Sequence, residues 1–370
     1  MSPTHSVRLL GAALAVRPVP ADLGAALAAA DLDWPSLIRT AGQHLVTPSL
    51  ADACRRQGLC DRLLAEVRDY LDGIRDLNRL RNHDLRAALT DIARALDPLG
   101  IRPLLLKGAN ALLPGQYPGA EERVIGDLDL GVPPEREAAA VAALLDLGYR
   151  PLPWEVPPLL PGEARRLHHA PLPLVHPERP VKVELHRRLL ANPRDDARLQ
   201  AGMVTSTRAL AAGAVVRVPD PGTRLLHNFL HAQIHDRLRQ HRRLNLRQLL
   251  DFAALAQRHP EVLTPALLGR LRPRRRRAFL EYLAQAEHWL GLAYPPGLPR
   301  AASAGRELWL QGRVLTSGGW RRLFVGLDAG ARLPPWLARL PLRLVLTPGW
   351  LPWRWRVWRA GKSVGARDEP

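Results

Sequence analysis

The sequence predicts an α/β or α+β fold in which a central sheet has helical regions before and after it. Ala, Leu and Arg dominate residues 61–96, where apolar residues recur at helical spacing. Short apolar runs then alternate with helical stretches between residues 101 and 148, and residues 181–186 alternate strictly between apolar and polar side chains. Such a succession indicates strands that pack against helices.

The first hundred residues are predicted to be helical. Leu64, Val67, Tyr70 and Leu71 recur at the spacing of one helix face, and the sequence Pro98-Leu99-Gly100 ends that helix.

The central elements follow in a regular order. They are predicted as a strand at 103–106, a turn at Lys107-Gly108, a helix start at 109–113, a strand at 124–132 and a helix from Pro133-Pro134 to Gly148.

A proline-rich stretch separates these elements from the next strand. Residues 151–180 hold nine prolines and are predicted to be mostly loop, crossing the core as a lid or an insertion. Residues 181–186 form a strand. Helical periodicity returns at Thr223 and continues toward residue 292, and the pattern weakens beyond Gly305.

These patterns divide the chain into four predicted regions. They are an N-terminal helical region (1–98), a core with the Pro-rich insertion 151–180 (99–190), a helical domain (191–300) and a basic region rich in Trp and Arg (301–370).

The composition excludes two classes of protein. Of 370 residues, 46% are hydrophobic, which excludes disorder of the whole chain. Two cysteines, Cys54 and Cys60, are too few for a disulfide scaffold and lack the spacing of a zinc site, so we predict reduced thiols. No apolar run reaches the roughly 18 residues that span a bilayer. We therefore predict a cytoplasmic protein without a transmembrane segment.

The net charge of +18 is concentrated near the C-terminus. Residues 261–370 carry 19 basic and seven acidic side chains. The chain has 50 arginines but only three lysines, Lys107, Lys182 and Lys362. Charge alone does not choose between nucleic acid, anionic lipid and other polyanions as a partner.

Acidic residues on two predicted strands form the main candidate site. Asp127 and Asp129 project on one face of their strand, since side chains alternate along a strand. Glu184 shares a face with Lys182 and His186 on the later strand. If the strands are neighbours, the three carboxylates meet, and an oxygen-only set favours Mg²⁺ or Mn²⁺. A lone Asp-x-Asp pair is more often without a metal.

Several motifs follow one another in a specific order. They are Leu105-Leu106-Lys107-Gly108-Ala109-Asn110, then Tyr117 and Arg123, then Gly126-Asp127-Leu128-Asp129-Leu130, Leu147-Gly148-Tyr149 and Val183-Glu184-Leu185-His186. Together they resemble the uncharacterised bacterial nucleotidyltransferase family of the DNA-polymerase-β-like superfamily. The resemblance extends to the segments Asp33–Leu37, Gln43-His44, His231, His235 and Leu246–Asp251, and so covers roughly residues 30–255.

The resemblance implies an α+β fold with a nucleotidyltransferase-like mixed sheet bearing three metal-binding acids. Asp127, Asp129 and Glu184 fit these catalytic and metal-ligating positions. Asp127 and Asp129 would bridge two Mg²⁺ (or Mn²⁺) ions, and Glu184 would complete the shell of one. The phosphate-binding Gly-Ser turn of the superfamily would fall at Gly108-Ala109. Since Ala109 lacks the hydroxyl, the phosphate contact is expected from backbone N–H groups or from Lys107.

The expected nucleotide-binding residues surround these acids. Lys107 is expected to act as a point charge on phosphate oxygens and Arg123 as a forked donor to them. Lys182 and His186, on the strand face of Glu184, complete the set. His186 could also orient Glu184 or serve only local packing.

These residues predict a metal-dependent enzyme that transfers a nucleoside monophosphate from a nucleoside triphosphate to a hydroxyl acceptor, which could be a small molecule, a glycan, a peptide or a protein. The alternative is a non-catalytic protein that holds nucleotide or polyanion in the same pocket. The three acids favour catalysis, whereas Ala109 favours binding alone. RNA modification is a third possibility, which only the charge suggests.

Three further features have weaker functional interpretations. His227, His231 and His235 recur every four residues, and we expect this stripe to face the core or the substrate cleft rather than to bind zinc. The basic run Arg272–Arg277 predicts either a polyanion contact or a solvated helix start. Trp350, Trp353, Trp355 and Trp358 alternate with arginines, which suits a peripheral membrane contact, stacking on bases or packing on the chain's own domain.

Overall fold

A seven-stranded mixed sheet lies at the centre of the fold. The structure is a computed structural model that describes residues 2–16, 22–29, 31–115, 121–152 and 173–331. The strands are β1 (Leu104–Leu105), β2 (Leu128–Gly131), β3 (Arg150–Pro151), β4 (Leu174–His176), β5 (Arg179–His186), β6 (Thr205–Ala209) and β7 (Val215–Pro219). Their order is β3-β4-β5-β2-β1-β7-β6. The pairs β2/β5 and β1/β7 are parallel and the others antiparallel.

Helices precede and follow the sheet along the chain, as the sequence predicted. They are α1 (Pro3–Ala13), α2 (Leu23–Ala28), α3 (Trp34–Gln43), α4 (Thr47–Arg56), α5 (Ala65–Leu96), α6 (Glu137–Asp146), α7 (Pro193–Ala201), α8 (Pro221–Phe229), α9 (Leu238–His241), α10 (Leu246–Arg258), α11 (Pro265–Gly269), α12 (Pro273–Leu290), α13 (Ala304–Thr316) and α14 (Gly318–Ala331). A π-helical segment, Leu230–His235, continues α8, and a 3₁₀ helix, Lys107–Leu112, follows β1. The predicted α+β class and flanking helical regions are confirmed.

One face of the sheet packs on the long helix α5. Leu128 and Leu130 of β2 are fully buried in a cluster with Leu85 and Leu89 of α5. Because side chains alternate along a strand, Asp129 lies on the opposite face of β2, away from this core. Apolar burial against α5 therefore fixes the direction in which the acidic residues point.

The N-terminal and C-terminal helices share a second hydrophobic cluster. Leu10 of α1, Leu50 of α4 and Phe279 of α12 are all buried in it. Helices α1 and α12 approach closely at Gly11, where a Cβ atom would lie 2.2 Å from the carbonyl oxygen of Trp289. The two helical regions therefore pack together although they are distant in sequence.

The strand predicted at 124–132 is shorter than expected. Only Leu128–Gly131 is a strand, and Asp127 lies at a bend before it. The carbonyl groups before the bend accept hydrogen bonds from side chains of α5. Asn82 donates to the carbonyl of Arg123 at 2.8 Å, and Arg81 donates to those of Ile125 and Gly126 at 3.1 Å each. Because these carbonyl groups are satisfied by side chains, the segment needs no strand partner.

Two regions predicted to lack strands contribute strands to the sheet. The stretch predicted as loop at 151–180 contains β4 and the start of β5, and its residues 153–172 lie outside the described residues. The region 191–300, which we predicted to be helical, contains β6 and β7, and β7 pairs with β1. The β-branched residues Val215, Val216 and Val218 around Arg217 are the signal from which β7 could have been predicted. The division into four regions stays a prediction.

The helical pattern continues beyond Gly305 for longer than expected, through α13 and α14. The tail with Trp350, Trp353, Trp355 and Trp358 lies outside the described residues. Within the part of the chain that the structure describes, no helix is both long enough and apolar enough to cross a membrane.

His44, the residue that follows helix α3, contacts the first residue of helix α10. Its Nδ1 accepts a hydrogen bond of 3.4 Å from the backbone N–H of Leu246. Burial, together with the nearby charge of Arg243, lowers the pKa of His44 to about 4. Between this value and the ordinary pKa near 6.5, the unfolded chain binds a proton that the folded chain does not. This histidine therefore makes the protein less stable as the pH falls through that window.

We expect His44→Asn to weaken this pH dependence. Between pH 7.5 and 5, the wild type should lose about 2 kcal/mol more free energy of unfolding than the variant, whose side chain does not titrate. Urea denaturation at both pH values measures the difference. Equal losses in the wild type and in His44→Asn would contradict the prediction.

Candidate active site

A cavity of about 230 Å³ lies beside the acidic face of β2. Its walls come from the turn after β1, the segment before β2, helices α8 and α10 and the π-helical segment. The polar and charged side chains that line it are Lys107, Asn110, Arg123, Asp127, Asp129, Thr223, Arg224, His227, Asn228, His231, Asp236, Arg247, Gln248 and Asp251. The cavity therefore lies between the predicted acidic strand and helices that follow the sheet along the chain.

The parallel pairing of β2 with β5 brings the predicted acids together. Asp129 lies directly opposite Glu184 in the register of the two strands. Asp129 is only 2% exposed, whereas the side chain of Glu184 is 21% exposed. Asp129, Glu184 and His186 can place one ligand atom each within 4.8 Å of one another, which defines a candidate metal centre.

Asp127 belongs to the edge of this cluster rather than to its centre. It precedes the strand, and its Oδ2 lies 3.4 Å from Nζ of Lys182. The same ammonium group donates to Oε1 of Glu184 at 3.1 Å. Lys182 therefore links Asp127 to Glu184, and its position on the strand face of Glu184 agrees with the prediction.

Two donors converge on a single oxygen of Asp129. Nζ of Lys107 and Nε2 of His186 each lie 2.7 Å from Oδ1 of Asp129, so that Nε2 carries the proton in this contact. Nε2 of His186 is also 3.6 Å from Oε2 of Glu184. The side chain of His186 is fully buried, so it positions the carboxylate of Asp129 from within the protein.

These contacts separate the pKa values of the two aspartates. Burial opposes ionisation of Asp129, but the hydrogen bond from His186 and the charge of Lys107 outweigh it and hold the pKa of Asp129 below its ordinary value. Burial and the charges of Asp129 and Glu184 raise the pKa of Asp127. Burial lowers the pKa of the Lys107 ammonium, but the charge of Asp129 outweighs it, so the pKa is raised. The cluster thus holds an ionised aspartate paired with a charged lysine.

The turn that carries Lys107 has an unusual backbone conformation. Lys107 has a φ of +44°, in the left-handed region, which costs a non-glycine residue about 1–2 kcal/mol. The next residue, Gly108, lies against Arg123, where a Cβ atom would stand 3.3 Å from Nη2. Strain of this kind is often found at functional sites. Lys107 and Gly108 both line the cavity, and their predicted role in phosphate binding stays a prediction.

Ala109 does not face the cavity. Its side chain is completely buried in the cluster between the sheet and α5, and its N–H donates to the carbonyl of Leu106 at 3.0 Å. The predicted phosphate contact of Ala109 stays a prediction, and its N–H group is already used by the 3₁₀ turn. Gly108 and Lys107, which line the cavity, are the other phosphate-binding candidates of this turn.

Arg123 lines the cavity, but its fork is engaged by Asp251 of α10. Nε lies 2.8 Å from Oδ1 and Nη2 lies 2.7 Å from Oδ2, which is a bidentate geometry. Nη1 donates to the carbonyl of Val124. The side chain of Arg123 is 9% exposed. The pair connects the segment before β2 to α10, so the structure gives Arg123 a positioning role, and its predicted phosphate contact stays a prediction.

Two histidines of the predicted stripe, His227 and His231, face the cavity. Nε2 of His227 donates to the carbonyl of Leu189 at 3.0 Å. Burial and the neighbouring His231 lower the pKa of His227 to about 3, so this histidine is neutral at physiological pH. His231, His235 and Asp236 can bring one ligand atom each within 4.8 Å. Asp236 was not among the predicted site residues, although it directly follows His235.

The site thus combines an acidic pair on adjacent parallel strands, a lysine-glycine turn and a cavity between the sheet and the helices. Residues 30–291 match the family described as uncharacterised nucleotidyltransferase, and the chain belongs to that family. Neither the curated proteins nor the solved structures contain a match to this chain.

Proposed function

We propose that this nucleotidyltransferase is metal-dependent and transfers a nucleoside monophosphate from a nucleoside triphosphate to a hydroxyl group of an acceptor. We place it in the DNA-polymerase-β-like superfamily, as a bacterial protein. The pairing of Asp129 with Glu184 beside the cavity is the observation that carries this proposal. Two carboxylates this close repel each other unless a cation lies between them.

The residues present fit a divalent metal ion. Asp127, Asp129 and Glu184 supply carboxylate oxygens, which are the donors that Mg²⁺ and Mn²⁺ prefer. Three carboxylates face the two ammonium groups of Lys107 and Lys182, so the cluster keeps a negative charge when all five are ionised. Bound metal, in our proposal two ions, would supply charge neutralisation on the triphosphate and activation of the acceptor hydroxyl.

The chain's own residues then have distinct roles. Lys107 can exchange its contact with Asp129 for phosphate oxygens without leaving the cavity wall. Gly108 lets a phosphate group approach the backbone of the turn, since it has no side chain. His186 keeps Oδ1 of Asp129 oriented from the buried side. Lys182 holds Glu184 and Asp127 and is a second cation available to the nucleotide.

One observation favours the alternative, a non-catalytic protein that binds nucleotide or polyanion in the same cavity. Both lysines that adjoin the acids form ion pairs with them, so the carboxylates are partly neutralised without a metal. The absence of a hydroxyl at Ala109 points the same way. The two functions differ in a measurable property, because only the enzyme releases pyrophosphate.

Nucleotide binding is the first test. We expect at least one nucleoside triphosphate to raise the melting temperature in the presence of Mg²⁺, and a ligand at 100 times its Kd adds about 2.7 kcal/mol to the free energy of unfolding. The measurement is thermal unfolding with each of the four nucleotides, with and without Mg²⁺. α-labelled nucleotide and extracts of candidate acceptors then distinguish catalysis from binding. Stabilisation without label transfer or pyrophosphate release would support the alternative, and no stabilisation would contradict both.

Other partners belong to the same proposal. The basic run Arg272–Arg277 begins α12, and Arg272 and Arg275 lie 3.5 and 3.1 Å from the buried carboxylate of Asp195. Arg277 lies 3.3 Å from Glu281. These pairs support a structural role, and a polyanion contact would use the remaining arginines of the run. A peripheral membrane contact of the Trp/Arg tail also remains a proposal.

We also propose a cytoplasmic location. Cys54 and Cys60 are both free, and burial raises the pKa of the Cys54 thiol to about 12, which keeps it protonated and unreactive.

A further inference from the structure

A second cluster of ligand-type side chains lies on the helical wall of the cavity. His231 and His235 belong to the π-helical segment, and Asp236 follows it directly. Nδ1 of His231 is 3.3 Å from Oδ2 of Asp236, and the two imidazole rings are 4.9 Å apart between centroids. π-helical turns occur frequently at functional sites. Two histidines and one acid make up this cluster, whereas the cluster on the sheet has two acids and one histidine, His186.

The spacing of these atoms suits a small divalent ion. Donor atoms bound tetrahedrally to zinc at 2.0–2.1 Å stand about 3.3 Å from one another. The distance from Nδ1 of His231 to Oδ2 of Asp236 equals this value. A ring nitrogen of His235 lies within 4.8 Å of a donor atom of each of these two residues. Two imidazoles and a carboxylate favour zinc and similar transition metals over magnesium.

Gln248 of α10 lies at the fourth corner of the cluster. Its Nε2 is 2.7 Å from Oδ2 of Asp236 and 3.5 Å from Nδ1 of His231. Its Oε1 is buried and accepts no hydrogen bond from any residue that the structure describes. Rotation of the side-chain amide by a half-turn exchanges the positions of Nε2 and Oε1. It directs the oxygen toward the donor atoms of His231, His235 and Asp236. Amide rotation is cheap, and the two orientations have nearly the same shape.

We propose that His231, His235, Asp236 and the amide oxygen of Gln248 bind one zinc-type divalent ion. Because His231 and Asp236 line the cavity, the ion would form part of its wall. The site would tie the π-helical segment to α10, on elements other than those that carry Asp129 and Glu184. It is therefore separate from the proposed magnesium centre.

Cobalt binding tests the proposal on the full-length protein stripped of metal with a chelator. Co²⁺ substitutes for zinc, and its visible absorption reports tetrahedral coordination. We expect one equivalent to bind in the presence of excess Mg²⁺ and to be displaced by Zn²⁺. His231→Ala and Asp236→Asn should each lower the affinity at least tenfold, since even residues that only support metal ligands contribute about 10–100-fold.

Three further variants make the result specific. Gln248→Glu replaces the amide oxygen by a carboxylate and should raise the affinity by about tenfold or more. His259→Ala removes a surface histidine that is also paired with an acid, at 3.2 Å from Glu261, and should leave binding unchanged. Asp129→Asn should also leave it unchanged, which separates this site from the proposed catalytic one.

The proposal is overturned if Co²⁺ does not bind, if His231→Ala and Asp236→Asn bind it as the wild type does, or if Asp129→Asn abolishes binding. An unchanged affinity in Gln248→Glu would remove Gln248 from the ligand set. Circular dichroism of each variant shows that it is folded, and His235→Ala, at an exposed position, provides a second ligand deletion that should also lower the affinity. All these readouts are independent of nucleotidyl transfer.

Discussion

Asp129→Asn is expected to lower nucleotidyl transfer by about a thousandfold, which corresponds to about 4 kcal/mol of lost transition-state stabilisation. The substitution keeps the shape of the side chain and removes its charge. Oδ1 of Asp129 accepts hydrogen bonds from the Lys107 ammonium and the His186 imidazole at 2.7 Å, so a neutral amide would weaken both contacts as well as metal binding. Release of pyrophosphate and transfer of label measure the effect.

The control is the same substitution at a surface ion pair. Asp91 lies 2.7 Å from Arg179, and both side chains are more than 40% exposed, so Asp91→Asn should leave transfer within about twofold. Glu184→Gln tests the second strand at a less buried position and should also abolish most of the activity. Transfer by Asp129→Asn at the wild-type rate would refute the proposed catalytic site, provided that the variant is folded.

The faces of the central strands could be predicted from the sequence because one face of each strand is apolar. Leu128, Leu130 and Leu185 are buried against α5, and this burial leaves only one orientation for Asp129 and Glu184. The exact pairing of the acids could not be predicted. Register depends on where each strand begins, and the strand β2 begins only after Asp127 because side chains of α5 satisfy the preceding carbonyl groups.

Edge strands and long-range contacts were harder to predict. Most residues of β6 are exposed, so this strand lacks the apolar alternation that marks a half-buried strand. The contact of Arg123 with Asp251 joins residues 128 positions apart, and no local pattern indicates it. Asp236 could not be predicted from the spacing of regular helical motifs, because the π-helical segment changes the spacing between neighbouring side chains.

Breaking the ion pair between Arg123 and Asp251 is expected to lower the free energy of unfolding by about 3–5 kcal/mol. Asp251→Asn removes the charge that a nearly buried guanidinium faces, and Arg123→Met leaves Asp251 without its bidentate partner. In either case a charge remains in a poorly solvated environment. The fold should respond as a whole, because Arg123 adjoins Gly108 and β2, whereas Asp251 belongs to α10.

A bidentate pair on the surface is the matched control. Arg300 and Glu287 are joined by two hydrogen bonds of 2.5 and 2.7 Å, but their side chains are 62% and 34% exposed. Glu287→Gln should cost less than about 1 kcal/mol, since water solvates both groups when the pair is broken. Urea denaturation of the wild type and both single variants gives the comparison, with unchanged m values as evidence that the unfolding transition is the same.

The double variant Arg123→Met with Asp251→Leu distinguishes two contributions to the free energy of unfolding. One is the stabilisation by the ion pair, and the other is the destabilisation by a buried charge without its partner. Apolar groups of similar size leave no buried charge, so we expect the double variant to be more stable than either single variant. If it is less stable than both, the loss comes from packing or other polar contacts rather than from the charge left behind. Because Arg123 lines the cavity, nucleotide binding by the double variant, once it is folded, also tests the phosphate contact that the sequence predicted. Binding at the wild-type affinity would assign Arg123 a purely positioning role, whereas a loss of binding would support the contact.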